Sequence, residues 1–381
     1  MPRPSFTIGI EEEYQTIDPV TRDLRSHIHS EIIAKGKLRM EERIKAEMHQ
    51  SVVEGGTGVC KNIKDAKAEV IELRREMIAL ARENGLLLAA GATHPFADWR
   101  TQEIYPDERY HRVVEDMQLV ARANLIFGLH VHVGVEDRET TIHLMNSMRY
   151  FLPHLLALST NSPFWLGMNT GLKSYRCKVF DKFPRTNIPD TFSSWSEFDN
   201  LVNLLIRTHC IDNAKKIWWD IRPHPFFNTL EIRICDIPLR VEETLALAAL
   251  IQATLVKLYH LHSRNQSFRQ YGRSLLMENK WRASRYGING KLIDFGREVE
   301  VDERSLIGEY LEFVDDVLDE LDSREEVAYV RTILKDGTGA DRQLKVFQQT
   351  ADLKKVVDYM VEETRAGLEQ PAPAATTPVA R

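Results

Sequence analysis

The sequence predicts an α+β fold built around one sheet whose second face is a reaction chamber, and three stretches predict it. Residues 7–14, TIGIEEEY, read as a strand, send Phe6, Ile8 and Ile10 to a core and Thr7, Gly9, Glu11 and Glu13 the other way. Residues 126–135, IFGLHVHVGV, alternate likewise, with Leu129, Val131 and Val133 opposed to His130, His132 and Gly134. Residues 229–234, TLEIRI, repeat the pattern, Leu230, Ile232 and Ile234 inward and Glu231 and Arg233 outward. A sheet covered by helices on both faces would not carry carboxylate, imidazole and guanidinium along its strands.

Composition narrows the class. The 381 residues are 43% hydrophobic and 28% charged, enough for a sizeable core in one large domain or two. A net charge of −6 gives no reason to expect a nucleic-acid partner. Apolar runs fall short of the roughly 18 residues of a membrane span, and residues 1–6 lack a signal-peptide apolar region. Cys60, Cys177, Cys210 and Cys235 form no CxxC, so neither zinc nor a disulfide framework is expected, and a reducing cytoplasm fits.

In chain order, Glu11 and Glu13 share a strand face roughly 7 Å apart. They are either a solvated acidic strand end or a site for a hard divalent ion, which takes oxygen ligands of this kind. A turn follows at Asp18-Pro19-Val20-Thr21, then a charged segment, 23–45, with a short helix. In 46–58, AEMHQSVVEGGTG, Glu47 and Glu54 flank a short packing run, and Gly55, Gly56 and Gly58 suit a surface turn or a close backbone approach. Residues 62–84 form an amphipathic helix with Ile63, Ala66, Val70, Leu73, Met77 and Leu80 on one face, stopped at Asn84-Gly85. A short strand, 86–90, runs into a loop whose His94 is structural or touches substrate. Residues 107–125 are helical and deliver the chain to HVHVG, where one imidazole would join carboxylates around a divalent ion and the other support substrate; two polar residues on a wet sheet face are the alternative.

The 139–159 helix contains Pro153, which predicts a kink or break. Residues 162–191 are basic and aperiodic, the mark of a binding loop or lid, with Tyr175, Arg176 and Arg185 as candidates for an anionic substrate, or else a subunit interface. A helix at 195–210 precedes a strand at 216–225, on which Trp218, Asp220 and Arg222 share a face beside the Glu231/Arg233 strand. Helix 240–262 is apolar round more of its circumference than one sheet contact needs, which predicts a homodimer. In ENKWRASRYG, Asn279, Lys280, Trp281, Arg282 and Arg285 cluster on a helix; guanidinium beside indole suits phosphate and a stacked base, or a solvated face. A hairpin at 288–300 turns at Asn289-Gly290, terminal helices occupy 305–321, 324–335, 340–349 and 353–366, and 369–381 is a disordered tail behind a catalytic domain of residues 1–368.

GIEEEY, HVHVG, TLEIRICD and ENKWRASRYG, in this order, resemble the bacterial carboxylate-amine ligase family called glutamate–cysteine ligase type 2, over residue 5 to about residue 367. The resemblance implies a curved, mainly antiparallel sheet backed by helices, as in glutamate–cysteine ligase and the catalytic domain of glutamine synthetase. It implies ATP with Mg2+, or Mn2+ in its place, and a homodimer. It carries metal binding to Glu11, Glu13, Glu54, His132 and Glu231, with Glu47 a looser match. Arg233 would meet the transferred phosphate, Glu54 would share the catalytic role, and Asn279, Trp281 and Arg285 would hold the nucleotide. The implied reaction joins an amino-acid carboxylate to a small amine or amino acid through an acyl phosphate, glutamate–cysteine ligation included. A guanidino-type phosphotransferase and a non-catalytic nucleotide-binding or assembly protein are the alternatives.

Overall fold

The computed structural model describes residues 3–27 and 32–368; the tail expected to be disordered lies outside them. Its strands are β1 (Ile8–Ile17), β2 (Ile44–Ala46), β3 (Val52–Gly56), β4 (Leu87–Ala89), β5 (Leu129–Gly134), β6 (Phe164–Trp165), β7 (Met168–Asn169), β8 (Ile221–Pro223), β9 (Thr229–Ile232), β10 (Lys291–Asp294) and β11 (Val299–Asp302). Seven of them form one sheet in the order β2-β3-β1-β5-β9-β8, with β4 also paired to β1, and every pairing is antiparallel. The expected α+β class with a mainly antiparallel sheet backed by helices is the fold observed.

β1 is the hub because its ten residues are long enough to pair with β3 on one side and with β5 and then β4 on the other. Its apolar face packs under the Ile63–Glu83 helix, which Asn62 caps by accepting from the Asp65 amide. Gly55 lies inside β3, buried, and not in a surface turn. A Cβ there would come within 2.6 Å of Met77 Sδ, so the missing side chain is what lets the helix approach the strand.

Glu12 points to this helix side, opposite to Glu11 and Glu13. Arg74, fully buried on the inner face of the helix, donates to Glu12 from Nε at 2.9 Å and also from Nη2, and reaches Leu239 O at 2.8 Å. Thr244 Oγ1 and the Tyr14 hydroxyl donate to the same carboxylate. Burial pushes Glu12 up, but the Arg74 guanidinium and these donors outweigh it and leave the group below the usual carboxylate range.

The helix expected to form a dimer interface, Val241–Ser263, is instead the centre of the core. Every residue from Thr244 to Val256 is buried, against the helices at Ile63–Glu83, Arg138–Met148, Glu303–Val314 and Arg324–Ala328. It is also the one helix among the described residues long and apolar enough to cross a membrane, and the chain itself covers it. Its surplus apolar surface therefore gives no support to a homodimer.

Other departures have local causes. The 139–159 helix breaks into Arg138–Met148 and Leu152–Ser159, with Pro153 in the first turn of the second piece, where its missing N–H costs nothing. Residues 107–125 split into Glu108–Met117 and Leu119–Arg122 around Gln118, whose φ is 50°. The β10–β11 hairpin turns at 295–298 rather than at Asn289-Gly290, because Asp294 Oδ1 accepts from the amides of Gly296 at 2.8 Å and Arg297 at 2.9 Å. Only Ile221–Pro223 of the 216–225 segment is strand.

His94 is structural. Its Nδ1 accepts from the amides of Phe96 and Ala97, and its Nε2 donates to Arg22 O at 2.9 Å, a set that only the neutral ring can satisfy. Burial lowers it from 6.5 to about 3 and lowers the buried His49 to about 4. Between pH 6.5 and 4 the unfolded chain therefore binds protons that the folded one refuses, and stability falls as pH falls. Denaturant unfolding should show about 1.6 kcal/mol lost per buried ring between pH 6.5 and 5, the slope approaching about 1.36 kcal/mol per pH unit below the unfolded value. A flat profile over that range would contradict this reading of the two rings.

Candidate active site

A cavity of about 850 Å³ lies over the face of the sheet opposite the Ile63–Glu83 helix. Register alone assembles its floor. Glu11 pairs across β1/β5 with His130, Gly9 with His132, His132 across β5/β9 with Glu231, and Glu231 across β8/β9 with Arg222. On the other flank Glu13 pairs with Glu54, and Glu54 with Lys45.

Glu11, His132 and Glu231 converge, their ligand atoms all within 4.8 Å of one another. His132 Nε2 is 3.6 Å from Glu11 Oε2 and 4.0 Å from Glu231 Oε1, and its Nδ1 is fixed by Thr229 Oγ1 at 3.2 Å. That Nε2 is buried and has no hydrogen-bond partner among the described residues. Two carboxylates and an orphaned, oriented imidazole nitrogen fit a divalent cation. Burial raises the Glu11 carboxyl, but the neighbouring imidazoles of His130, with Nδ1 3.3 Å away, and His132 overcome it and hold the group well below its usual value. Burial likewise opposes ionisation of Glu231, and Arg233 and Arg222 more than reverse it. Both carboxylates are thus anionic near neutrality.

Glu13 and Glu54 stand beside this cluster rather than in it, and Glu47 joins them. Burial and neighbouring carboxylates raise all three: Glu13 to about 7, where Arg176 pulls down and Glu54 pushes up; Glu47 well above its ordinary value, with Glu54 and Glu13 repelling it; and Glu54, repelled by Glu11, which Lys45 at 3.2 Å only partly offsets.

Two guanidinium groups with an unused donor face the carboxylates. Arg233 Nη1 is bonded to Glu231 Oε1, and Arg176 donates to the carbonyls of Ile234 and Arg233 at 3.3 Å. In each, a buried Nε has no partner among the described residues. Arg176 fits only because residue 128 is glycine, since a Cβ there would lie 2.3 Å from its Nη2. Arg222 donates to Glu231 from Nε at 2.7 Å.

Other sequence candidates fall elsewhere. Asp220 is bound to Lys280 at 2.9 Å, Arg185 lies over the Trp218 ring and donates to Lys216 O, and Tyr175 packs on Trp165. Asn279, Trp281 and Arg285 do not reach the cavity. The Asn279 amide group is used on the backbone of Ile293, Trp281 is on the outside with Lys178 5.4 Å from its ring, and Arg285 lies over Tyr286. The helix instead turns Lys280 inward, to Asp220 and to Asn187 Oδ1 at 2.8 Å.

Sequence reasoning missed the rim. Phe226 and Phe227, 63% and 62% exposed, stand on the β8–β9 turn at the mouth of the cavity. Lys215 Nζ is 4.8 Å from the Phe226 ring, and His224 stacks on Phe227 at 4.4 Å. The available signal was the pair of aromatic residues in HPFFN, at a hairpin turn where apolar side chains are unusual.

The same architecture recurs in solved structures. Glutamate–cysteine ligase from Francisella tularensis in complex with AMP aligns with a TM-score of 0.70 over 97% of this chain and 90% of that one, at 13% identity. A bifunctional glutathione synthetase from Pasteurella multocida aligns at 0.69 over 95% of this chain and 52% of that one, also at 13% identity. The chain therefore has the glutamate–cysteine ligase fold. Residues 7–359 match the family model described as Glutamate-cysteine ligase family 2. Proteins named "Putative glutamate–cysteine ligase 2" are similar along nearly the whole chain. The one from Solibacter usitatus is 72% identical over 370 residues, 97% of this chain and 96% of that one. The one from Herpetosiphon aurantiacus is 56% identical over 363 residues, 95% and 94%. The chain belongs to glutamate-cysteine ligase family 2, and it is an enzyme, an ATP-dependent carbon–nitrogen ligase.

Proposed function

We propose that this ligase activates an amino-acid carboxylate, glutamate in the first instance, with ATP and joins it to an amine, with weak glutamate–cysteine ligase activity among its reactions. The observation that carries the reading is the unpartnered His132 Nε2 set between Glu11 and Glu231, with Arg233 tied to the same Glu231. A carboxylate oxygen of the substrate attacks the γ-phosphorus, a new O–P bond forms, and the β–γ bridging bond breaks to release ADP. The amine nitrogen then attacks the acyl carbon, the C–O bond breaks, inorganic phosphate leaves, and the nitrogen loses a proton.

Mg2+, or Mn2+ in its place, held by Glu11, His132 and Glu231 with Glu13 and Glu54 alongside, would supply charge neutralisation on the phosphates. Arg233 and Arg176 orient and stabilise the phosphoryl oxygens with their free Nε–H groups, and Arg222 keeps Glu231 in place. Phe226 and Phe227 offer the base a stacking platform, and Lys215 and Lys216 the polyphosphate a cationic edge. This reading moves the nucleotide from Asn279, Trp281 and Arg285 to the β8–β9 turn. A homodimer, implied by the family resemblance, would need a surface other than Val241–Ser263.

The test incubates protein, Mg-ATP and glutamate with a panel of amines and follows ADP, phosphate and new amides by mass spectrometry. Phosphate retained on the second substrate, with no amide, would favour a phosphotransferase. His132→Ala should stay folded and bind Mg2+ about 10- to 100-fold more weakly by calorimetry, as loss of one ligand among several requires. Unchanged affinity would remove His132 from the cation site.

A further inference from the structure

One side of the cavity takes no part in these steps and is not polar. Val113, Ile126, Phe180, Phe183 and Trp218 line it. Phe180, Val113 and Trp218 are half-buried; they pack on a small satellite core of Val114, Ala121 and Phe183, separate from the two main clusters, and keep surface toward the cavity. The rings form a continuous wall. Phe180 and Phe183 have centroids 5.8 Å apart, and Phe183 meets Trp218 edge-on at 5.6 Å and 88°. Trp218 is held in place from behind, its amide bonded to Arg185 O at 2.8 Å and the Arg185 guanidinium 5.6 Å from its ring.

Placement ties the wall to the reacting groups. Phe180 follows Arg176 by one turn on the Arg176–Phe180 helix, so ring and guanidinium share a face. A substrate whose activated carboxyl lies at Arg176 and Arg233 thus has apolar surface next to its acyl carbon. The adenine is provided for at the rim by Phe226 and Phe227 beside Lys215, which leaves the wall for another apolar group. A charged or strongly polar side chain there would lose its hydration without a partner, whereas a hydrocarbon or aromatic one would gain by burial.

We propose that this wall is the acceptor subsite and that the preferred amine carries a hydrocarbon or aromatic side chain. The inference rests on the ligase reading above. The full-length enzyme, with Mg-ATP and a panel of amino-acid carboxylates including glutamate, is given phenethylamine, isoamylamine, cysteine, glycine and ethanolamine, and kcat/KM is taken from ADP release and amide mass. The apolar amines should exceed glycine and ethanolamine, and cysteine with them, by at least about 10-fold, the scale of burying a few methylenes. Trp218→Ala should raise KM for the apolar amine about 10-fold and leave KM for ATP within twofold, and Phe180→Ala, should the first variant fold poorly, should do the same. Amides made preferentially from cysteine or the small polar amines would overturn the subsite while leaving the ligase intact. So would a Trp218→Ala or Phe180→Ala enzyme whose defect lies in KM for ATP. No amide from any pair, with no ADP formed, would instead overturn the ligase reading on which the subsite depends.

Discussion

Arg74→Met should destabilise the protein by about 3–5 kcal/mol, the usual cost of leaving one member of a buried ion pair without its partner. The guanidinium is fully buried and ties the Ile63–Glu83 helix to β1 through Glu12 and to Leu239 through its carbonyl, so one side chain joins three parts of the chain. Glu12 would be left facing only Thr244 and Tyr14. Urea unfolding at pH 7 measures the loss, and a change below about 1 kcal/mol would contradict it. Arg74→Met with Glu12→Gln should recover part of the stability, since the double variant leaves no buried charge. The pH dependence follows from the depressed Glu12 value. Its contribution is complete above the unfolded-state value near 4.3, and it is lost as pH falls through the lower folded value, so the wild type and Arg74→Met should converge in acid.

Glu231→Gln should reduce turnover about 1,000-fold, or roughly 4 kcal/mol of barrier. The substitution keeps shape but removes the carboxylate that faces His132, Arg222 and Arg233 together. On the proposed mechanism it would weaken the cation site and release Arg233 from the Glu231 contact that holds its unpartnered Nε in the cavity. Arg233→Lys separates the two effects. It retains the charge but not the planar fork, and should lower kcat more than it weakens ATP binding. Circular dichroism establishes folding, and steady-state kinetics with Mg2+ titration reads the rest. A folded Glu231→Gln enzyme within tenfold of wild type would remove Glu231 from the chemistry.

Much of this site was legible because β-strands keep strict alternation. Period two in TIGIEEEY and HVHVG shows which side chains share a face, and that is why Glu11, His132 and Glu231 come together as a candidate cation site. Alternation could not tell that Glu13 would meet Glu54 and Glu47, which depends on the β1/β3 register, nor that Glu12 would be claimed by Arg74 from a helix 62 positions away. Helix faces were legible and their neighbours were not. The apolar girth of Val241–Ser263 reads alike whether a second subunit or the chain's own helices cover it. The charges and indole of ENKWRASRYG read as one cluster, and only the folded neighbours show that Lys280 turns inward to Asp220 and Asn187.

The position of β1 at the middle of the sheet imposes an order of events during synthesis. β1 is made first, yet one neighbour, β5, begins at Leu129, and the strand carrying Glu231 begins at Thr229. At about 5–20 residues per second, Glu11 waits on the order of tens of seconds for Glu231 to be made, and the β1 edge that takes β5 stays unpaired until residue 134 is reached. No nascent chain shorter than about 232 residues holds the complete cation cluster, and the buried Val241–Ser263 helix comes later still. A cation held by all three groups, as proposed, could therefore bind only once most of the chain has left the ribosome, and a chaperone that shields β1 until β5 is made should raise the soluble yield.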